Sequence, residues 1–125
     1  MDFVTSIKVC FRKYAEFNGR ASRSEYWWFY LFTILVYFVS LIASSLLQII
    51  STEIYIIGSI GVIGVIFALF LPNLAVSIRR MHDTSKSGAW LLMGLIPCFG
   101  LFIVLILLAQ PSTSGPNQYG AKPRK

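Results

Sequence analysis

The sequence predicts an all-α membrane protein, with three transmembrane helices, an amphipathic interfacial helix ahead of them and an irregular C-terminal tail. Two observations lead to this fold class. The chain is 56% hydrophobic and only 13% charged, and because an average soluble domain has about 25% charged residues, these charges are too few to cover a globular surface. The charges also lie outside three apolar runs, each of which reaches the ~20 residues that a helix needs to cross a bilayer.

The amphipathic helix is predicted over about residues 2–18. Apolar side chains such as Phe3, Ile7 and Phe11 recur there at helical spacing, with basic side chains mostly on the other face. A helix of this kind suits the membrane interface, where its apolar side meets the acyl boundary. It suits equally well a position against the protein's own spans, and the sequence leaves both arrangements open.

A helix-start signal precedes the first span. Ser22 is followed three residues later by Glu25, which fits a capping box. Tyr26, Trp27 and Trp28 come next, and aromatic residues are enriched at the headgroup level of membranes. The first long helix is therefore expected to begin near Ser22 and to enter the bilayer through this aromatic belt.

The three spans are predicted over about residues 27–50, 54–78 and 88–109. The third run contains Pro97, which can either kink one crossing helix or divide the run into a re-entrant hairpin. Each arm of such a hairpin would have about ten residues, roughly half of a crossing. We expect a single kinked crossing, with the hairpin as the alternative.

The distribution of Lys and Arg predicts the orientation of the spans. With three crossings, eight basic residues fall on one side: Lys8, Arg12, Lys13, Arg20 and Arg23 before the first span, and Arg79, Arg80 and Lys86 after the second. Three others, Lys122, Arg124 and Lys125, fall on the opposite side. The N-terminus is therefore expected in the cytoplasm and the C-terminus in the periplasm, although the charges of the tail argue mildly against the second placement.

Small residues mark a face for helix packing on the second span. Gly58, Gly61, Gly64 and Ala68 follow one another at three- and four-residue spacing, which lets helix backbones approach closely within a bilayer. We expect them to pack the spans of one chain, and contacts between copies in a homo-oligomer are the alternative. Residues 1–110 are predicted to form one membrane domain, and residues 111–125, rich in Pro, Gly and Ser, a flexible tail.

Several function classes have little support in the sequence. The net charge of +6 comes from residues that flank spans, and no nucleic-acid-binding motif is present. The two cysteines have no metal-ligand spacing, no cofactor motif occurs, and no catalytic constellation is recognisable. We therefore expect no metal, no cofactor and no enzymatic activity. A small oligomeric channel or transporter that uses the glycine-rich second span is the alternative function.

The most polar features of the chain are two short segments that the predicted topology brings together at one membrane surface. They supply a candidate surface charge cluster: Arg20, Arg23, Glu25, Arg79, Arg80, His82 and Asp83. We expect Arg79, Arg80 and Asp83 to pair with Glu25 and with Arg20 or Arg23. Each Arg–carboxylate pair should contribute about 0–1 kcal/mol when solvated and more at the drier headgroup boundary, because charge-assisted bidentate bonds are the stronger ones. His82 is expected as an interfacial residue or a hydrogen-bonded loop anchor. The surplus positive charge suits anionic phospholipid headgroups, and a membrane-protein partner is also compatible with it.

The same segments carry a family resemblance. The stretches concerned are FNGRASRSEYWWFYLF (17–32), LPNLAVSIRRMHDTSKSGAW (71–90), LIPCFG (95–100) and GPNQYG (115–120). They resemble the small bacterial inner-membrane family called domain of unknown function 805 (DUF805), with Met81 where a leucine is more usual and Ala89 where the family tends to have Trp. The resemblance implies a multi-pass protein of the bacterial cytoplasmic membrane, and it implies no activity.

Overall fold

The computed structural model describes residues 1–124. It contains four α-helices and one 3-10 helix: α1 Phe3–Arg12, α2 Arg23–Leu47, α3 Thr52–Asp83, the 3-10 helix Gly88–Leu95 and α4 Gly100–Ala109. The short connection from Gln48 to Ser51 makes α2 and α3 an antiparallel pair, and these two helices share the most extensive contact of the fold. No strand forms within residues 1–124, so the all-helical prediction is confirmed.

The first two predicted spans correspond to α2 and α3. Both helices are long and apolar enough to cross a membrane, and large apolar side chains along them point outward, as at Phe67, which is 73% exposed. Such a surface suits lipid and would not suit water. At 1.5 Å per residue, the 32 residues of α3 extend about 48 Å, well beyond a hydrocarbon core of about 30 Å.

The third apolar run is not the continuous crossing helix that the sequence led us to expect. It is divided into the 3-10 helix and α4, and the ten residues of α4 extend only about 15 Å. The chain turns between them at Cys98, whose φ is 69°, and Gly100 N–H donates to the Ile96 carbonyl at 2.9 Å. A Cβ at Gly100 would lie 2.5 Å from the Met93 carbonyl oxygen, so the two arms are in direct contact.

Both outer ends of this hairpin contact the last turns of α3. Gly88 lies against Ile78, with 3.0 Å from a Cβ built at Gly88 to the Ile78 side chain. At the other end, Arg80 Nε donates to the Leu108 carbonyl at 2.9 Å. The tail that follows α4 therefore starts at the same end of the molecule as the segment before α2. The expected placement of the two termini on opposite sides of the membrane does not agree with this geometry.

The N-terminal helix is shorter than predicted and packs on the protein itself. It ends at Arg12, not near residue 18. Its aromatic side meets α2, because the rings of Phe3 and Trp28 lie 5.8 Å apart and those of Phe11 and Phe29 lie 5.7 Å apart, both edge to face. Of the two arrangements that the sequence left open, contact with the protein's own span is the one present.

Only one glycine of the predicted packing face contacts another element of the chain. A Cβ built at Gly58 would lie 2.6 Å from Leu47 Cδ1 of α2. No such neighbour lies within 4 Å at Gly61 or Gly64, and Ala68 is exposed. On this face, contact with α2 is therefore confined to Gly58, near the connection of the two helices, and the rest of the face points outward.

Pro72 interrupts the hydrogen bonding of α3, and neighbouring elements compensate. Proline has no N–H group, so the carbonyl of Ala68 loses its donor four residues later. The hydroxyl group of Tyr14 donates to that carbonyl instead. Beside it, Asn73 Nδ2 donates to Thr33 Oγ1 at 3.1 Å, and this bond ties α3 to α2.

Candidate functional site

Three ion pairs join the end of α3 to the segment around the start of α2. Arg79 Nη1 donates to Glu25 Oε1 at 2.5 Å. Asp83 is shared by two arginines. Arg20 Nε donates to its Oδ1 at 2.9 Å, with Arg20 Nη2 also 2.9 Å from this oxygen, and Arg80 donates to its Oδ2. The Arg–carboxylate pairing expected from the sequence is present, with Arg20 as the partner from the N-terminal segment.

The cluster is buried, whereas the sequence led us to expect it at the membrane surface. Arg79, Arg80 and Asp83 are fully inaccessible, and Glu25 and Arg20 are only 3% and 6% exposed. The cause is the tail and the outer ends of the hairpin, which cover the end of α3. Breaking one partner out of a buried pair costs about 3–5 kcal/mol, far more than the 0–1 kcal/mol expected of solvated pairs.

Local helix rules explain how these side chains meet. Arg80 and Asp83 lie in the last turn of α3 with Arg79 directly before it, and Glu25 lies in the first turn of α2. Ser22 is the N-cap of α2 and its Oγ accepts from Glu25 N–H at 3.1 Å, which is one half of the predicted capping box. The other half, a bond from Ser22 N–H to the Glu25 side chain, is not among the hydrogen bonds of the described residues. The carboxylate of Glu25 points to Arg79 and is thereby available to join the two helices.

Residues of the C-terminal tail form further hydrogen bonds with Asp83 and Arg20. Ser112 Oγ donates to Asp83 Oδ2, and Thr113 N–H donates to the Asp83 main-chain carbonyl at 3.0 Å. Arg20 Nη1 donates to the Gly115 carbonyl at 2.8 Å. Sequence reasoning missed these partners because the tail composition is typical of flexible segments. The only signal for them was the GPNQYG stretch within the family resemblance.

Arg80 holds the end of the hairpin. Besides the Leu108 carbonyl, its guanidinium donates to the Gln110 carbonyl, and both carbonyls belong to the region where a helix C-terminus leaves acceptors unsatisfied. Lys86 Nζ adds a bond to Gln110 Oε1 at 2.7 Å. The end of α4 is thus fixed to the end of α3 by two cationic side chains.

His82 anchors the loops around the cluster, and Arg23 stands apart from it. His82 Nδ1 lies 3.0 Å from the Gly19 carbonyl, which can only accept, so Nδ1 carries the hydrogen. The imidazole ring stacks on Tyr119 with 3.9 Å between centroids and 3° between planes. Asn117 Nδ2 also donates to the His82 carbonyl at 2.9 Å. Arg23 is exposed and makes no ion pair within residues 1–124.

Cys10 of α1 lies against the Arg79–Glu25 pair. Its Sγ is 4.0 Å from Glu25 Oε1, and burial, with the Glu25 carboxylate as a second cause, raises the pKa of the thiol to about 12. Arg79 Nε and Nη2 have no acceptor within the described chain. Three arginines, Arg20, Arg79 and Arg80, thus face two carboxylates, and the buried cluster retains one positive charge.

The arrangement holds elements together and offers no metal centre. Across residues 1–124, no three His, Cys, Asp or Glu side chains lie close enough to bind a metal ion. Two long apolar helices and a buried ion-pair cluster at one end define a small multi-helix membrane protein. A family described as "Protein of unknown function (DUF805)" matches residues 14–121, and the chain belongs to this family.

The chain is similar to two inner membrane proteins. The chain is 37% identical over 113 residues to inner membrane protein YhaI of Escherichia coli K12, covering 90% of each chain. It is 36% identical over 115 residues to inner membrane protein YhaH of the same strain, covering 90% of this chain and 91% of the relative. No solved structure matches. The family and these relatives identify a membrane protein, and they assign no biochemical activity.

Proposed function

We propose that this chain is a non-enzymatic multi-pass membrane protein that acts through lipid or protein partners, with its charge cluster serving as a structural clasp. The observation that carries the proposal is that both carboxylates of the cluster are buried and paired with arginines. Glu25 and Asp83 accept from arginines, and His82 bonds to a carbonyl and is covered by Tyr119. A general base must reach its substrate with a free lone pair, whereas the carboxylates of Glu25 and Asp83 are buried and bound by arginines.

The proposed orientation has the cluster and both termini in the cytoplasm, with the third apolar run as a re-entrant hairpin. The hairpin geometry supports this orientation, because its two ends lie beside the end of α3. The positive-inside rule supports it as well. All eleven Lys and Arg residues then belong to cytoplasmic segments, and the short Gln48–Ser51 connection on the other side has none.

Reporter fusions test this orientation. A green fluorescent protein fused after residue 125 should fluoresce, and alkaline phosphatase at the same place should be inactive, because it needs the periplasm to fold. Alkaline phosphatase inserted after Ser51 should be active. An active phosphatase at the C-terminus would reject the hairpin and restore the single crossing.

Exposed basic side chains supply the proposed contact with lipid. They include Arg12, Arg23, Lys122 and Arg124. A Lys or Arg near an anionic membrane surface contributes about 1 kcal/mol of attraction, which salt weakens. We therefore propose anionic phospholipid as the partner at this end of the molecule.

Nanodiscs of defined composition test the lipid contact. The thermal midpoint of the protein should rise when phosphatidylglycerol replaces part of the phosphatidylcholine, since a ligand of the native state stabilises it. The rise should shrink as sodium chloride is added. Equal thermal midpoints in both lipids at low salt would reject anionic lipid as the partner. The proposal would then require a protein partner.

A second candidate, a small oligomeric channel or transporter, is favoured by the outward-facing glycines. Gly61 and Gly64 have open space around them, so the backbones of neighbouring copies can approach there. Ion flux through liposomes that contain only this protein, lost in the Gly61→Leu variant, would support this function. An absence of flux from folded protein would reject it.

A further inference from the structure

A polar cavity with a volume of about 410 Å³ lies at the start of α2, outside the ion-pair cluster. Two cationic side chains line it, Arg23 from α2 and Lys122 from the tail. Three hydroxyl groups also line it, those of Ser22, Ser24 and Ser112. The amino group of Met1 lies there as well and donates to Ser24 Oγ at 3.3 Å. Neither Asp nor Glu is among the lining residues, so all the side-chain charge in the cavity has one sign.

Nothing in the described chain neutralises these two cations. Arg23 and Lys122 are exposed and form no ion pair within residues 1–124. The two carboxylates of the adjoining cluster, Glu25 and Asp83, are already bonded to other arginines. Two cations that converge on one cavity repel each other unless an anion lies between them.

The wall of the cavity adds to its positive potential. Ser112, which lines it, also donates to Asp83, so the cavity adjoins the buried cluster with its one uncompensated positive charge. The backbone N–H groups of Arg23 and Ser24 open α2 and have no acceptor within the helix. The dipole of this 25-residue helix favours an anion at the same place.

We infer that this cavity binds a phosphate group, in the headgroup of an anionic phospholipid or as free phosphate. The guanidinium of Arg23 suits two phosphate oxygens at once, and Lys122 supplies a point charge. The hydroxyl of Ser24 adds a hydrogen-bond donor, and the cavity volume falls in the range of small-ligand sites. For a lipid ligand, the inference rests on the proposed function and identifies the place where the headgroup binds.

The test uses the full-length protein in a neutral detergent at constant ionic strength. The probes are dihexanoyl-phosphatidylglycerol, dihexanoyl-phosphatidylcholine and inorganic phosphate, and the rise of the thermal midpoint with concentration gives the affinity. The variants are Arg23→Gln, Lys122→Gln and Ser24→Asp. The control is Lys8→Gln, which removes an exposed charge that does not line the cavity.

We expect Arg23→Gln and Lys122→Gln each to weaken phosphatidylglycerol binding about tenfold, as the loss of one charged hydrogen bond does. Lys8→Gln should stay within about twofold of the unmodified protein. Ser24→Asp should abolish binding without lowering the midpoint of the ligand-free protein, because an acidic residue is favourable in the first turn of a helix. If this region had only a structural role, binding would not be lost without a loss of thermal stability.

The probes distinguish the source of the phosphate. Binding of phosphatidylglycerol without inorganic phosphate supports a lipid headgroup, and binding of inorganic phosphate that competes with the lipid supports free phosphate. If Lys8→Gln weakens binding as much as Arg23→Gln, the cavity is not the site, although the proposed lipid contact survives. If neither anionic probe raises the midpoint, the cavity proposal and the lipid contact both fail.

Discussion

The hydroxyl group of Tyr14 donates a hydrogen bond to the main-chain carbonyl of Ala68. This carbonyl is the one that Pro72, which stands inside α3, leaves without its helical donor. An unsatisfied backbone group is costly in an apolar environment. The contact therefore both compensates for the proline and fixes the segment after α1 against the third helix.

Removal of this hydroxyl group should destabilise the protein. We expect Tyr14→Phe to lower the free energy of unfolding by about 1 kcal/mol, the usual worth of one hydrogen bond, measured by titration with dodecyl sulfate in mixed micelles. In a Pro72→Ala background the N–H of residue 72 can satisfy Ala68, so the same change should then cost much less. Equal losses in both backgrounds would show that Tyr14 acts through packing alone.

Asp83→Ala should be strongly destabilising, because it leaves Arg20 and Arg80 buried without a carboxylate. We expect a loss of about 3–5 kcal/mol in the free energy of unfolding. A double-mutant cycle of Asp83→Ala with Arg20→Ala should show coupling above about 0.5 kcal/mol, the limit for independent sites. The matched cycle with Arg23→Ala should be additive, since Arg23 is exposed and does not contact Asp83. Additivity in both cycles would mean that the clasp contributes no pairwise energy.

Gly100→Ala should open the hairpin. The new Cβ would meet the backbone of Met93 and Gly94 at 2.5–2.8 Å, and rigid overlap of this kind typically costs about 1–3 kcal/mol. Gly94→Ala is the control, because its Cβ would only contact Val104 Cγ2 at 3.4 Å. The two thermal midpoints in detergent should differ clearly, and equal midpoints would contradict the close contact between the 3-10 helix and α4.

The Cys10 thiol should make stability fall in alkaline solution. Burial raises its pKa from the ordinary 9.0 to about 12, so above pH 9 the unfolded chain loses this proton while the folded chain keeps it. The contribution is complete below pH 9 and is lost between pH 9 and 12, with a slope of at most about 1.4 kcal/mol per pH unit. Unfolding titrations from pH 8 to 10.5 measure it.

Two variants isolate that contribution. Cys98→Ser removes the other thiol of the chain and should keep the full alkaline loss. Cys10→Ala should flatten the profile by the amount that the thiol contributes. If the profiles of the two variants coincide, Cys10 does not titrate differently in the folded and unfolded states.

Much of the fold follows from local properties of the sequence. The two uncharged apolar runs give α2 and α3 because a helix satisfies its own backbone in lipid, and the Ser22 cap marks the start of α2. The ion pairs could also be predicted in part, because helical spacing gathers Arg79, Arg80 and Asp83 near the end of α3, opposite the segment that contains Glu25. The choice between Arg20 and Arg23 as the partner of Asp83 was left open by the sequence.

Three features were decided only by the tertiary structure. Pro97 is compatible with a kink or a turn, and the contact of Gly100 with the Met93 carbonyl, between residues on different arms, makes it a turn. Burial of the cluster depends on Ser112 and Thr113 of the tail, and the composition of the tail alone is typical of a loop. The position of the tail beside the end of α3 follows from the hairpin. Local sequence determines which segments are helical and which are charged. Contacts between distant segments determine where the chain reverses and which charged side chains are buried. The free energies of chain reversal and of burial depend on which surfaces meet, and the local sequence does not specify this.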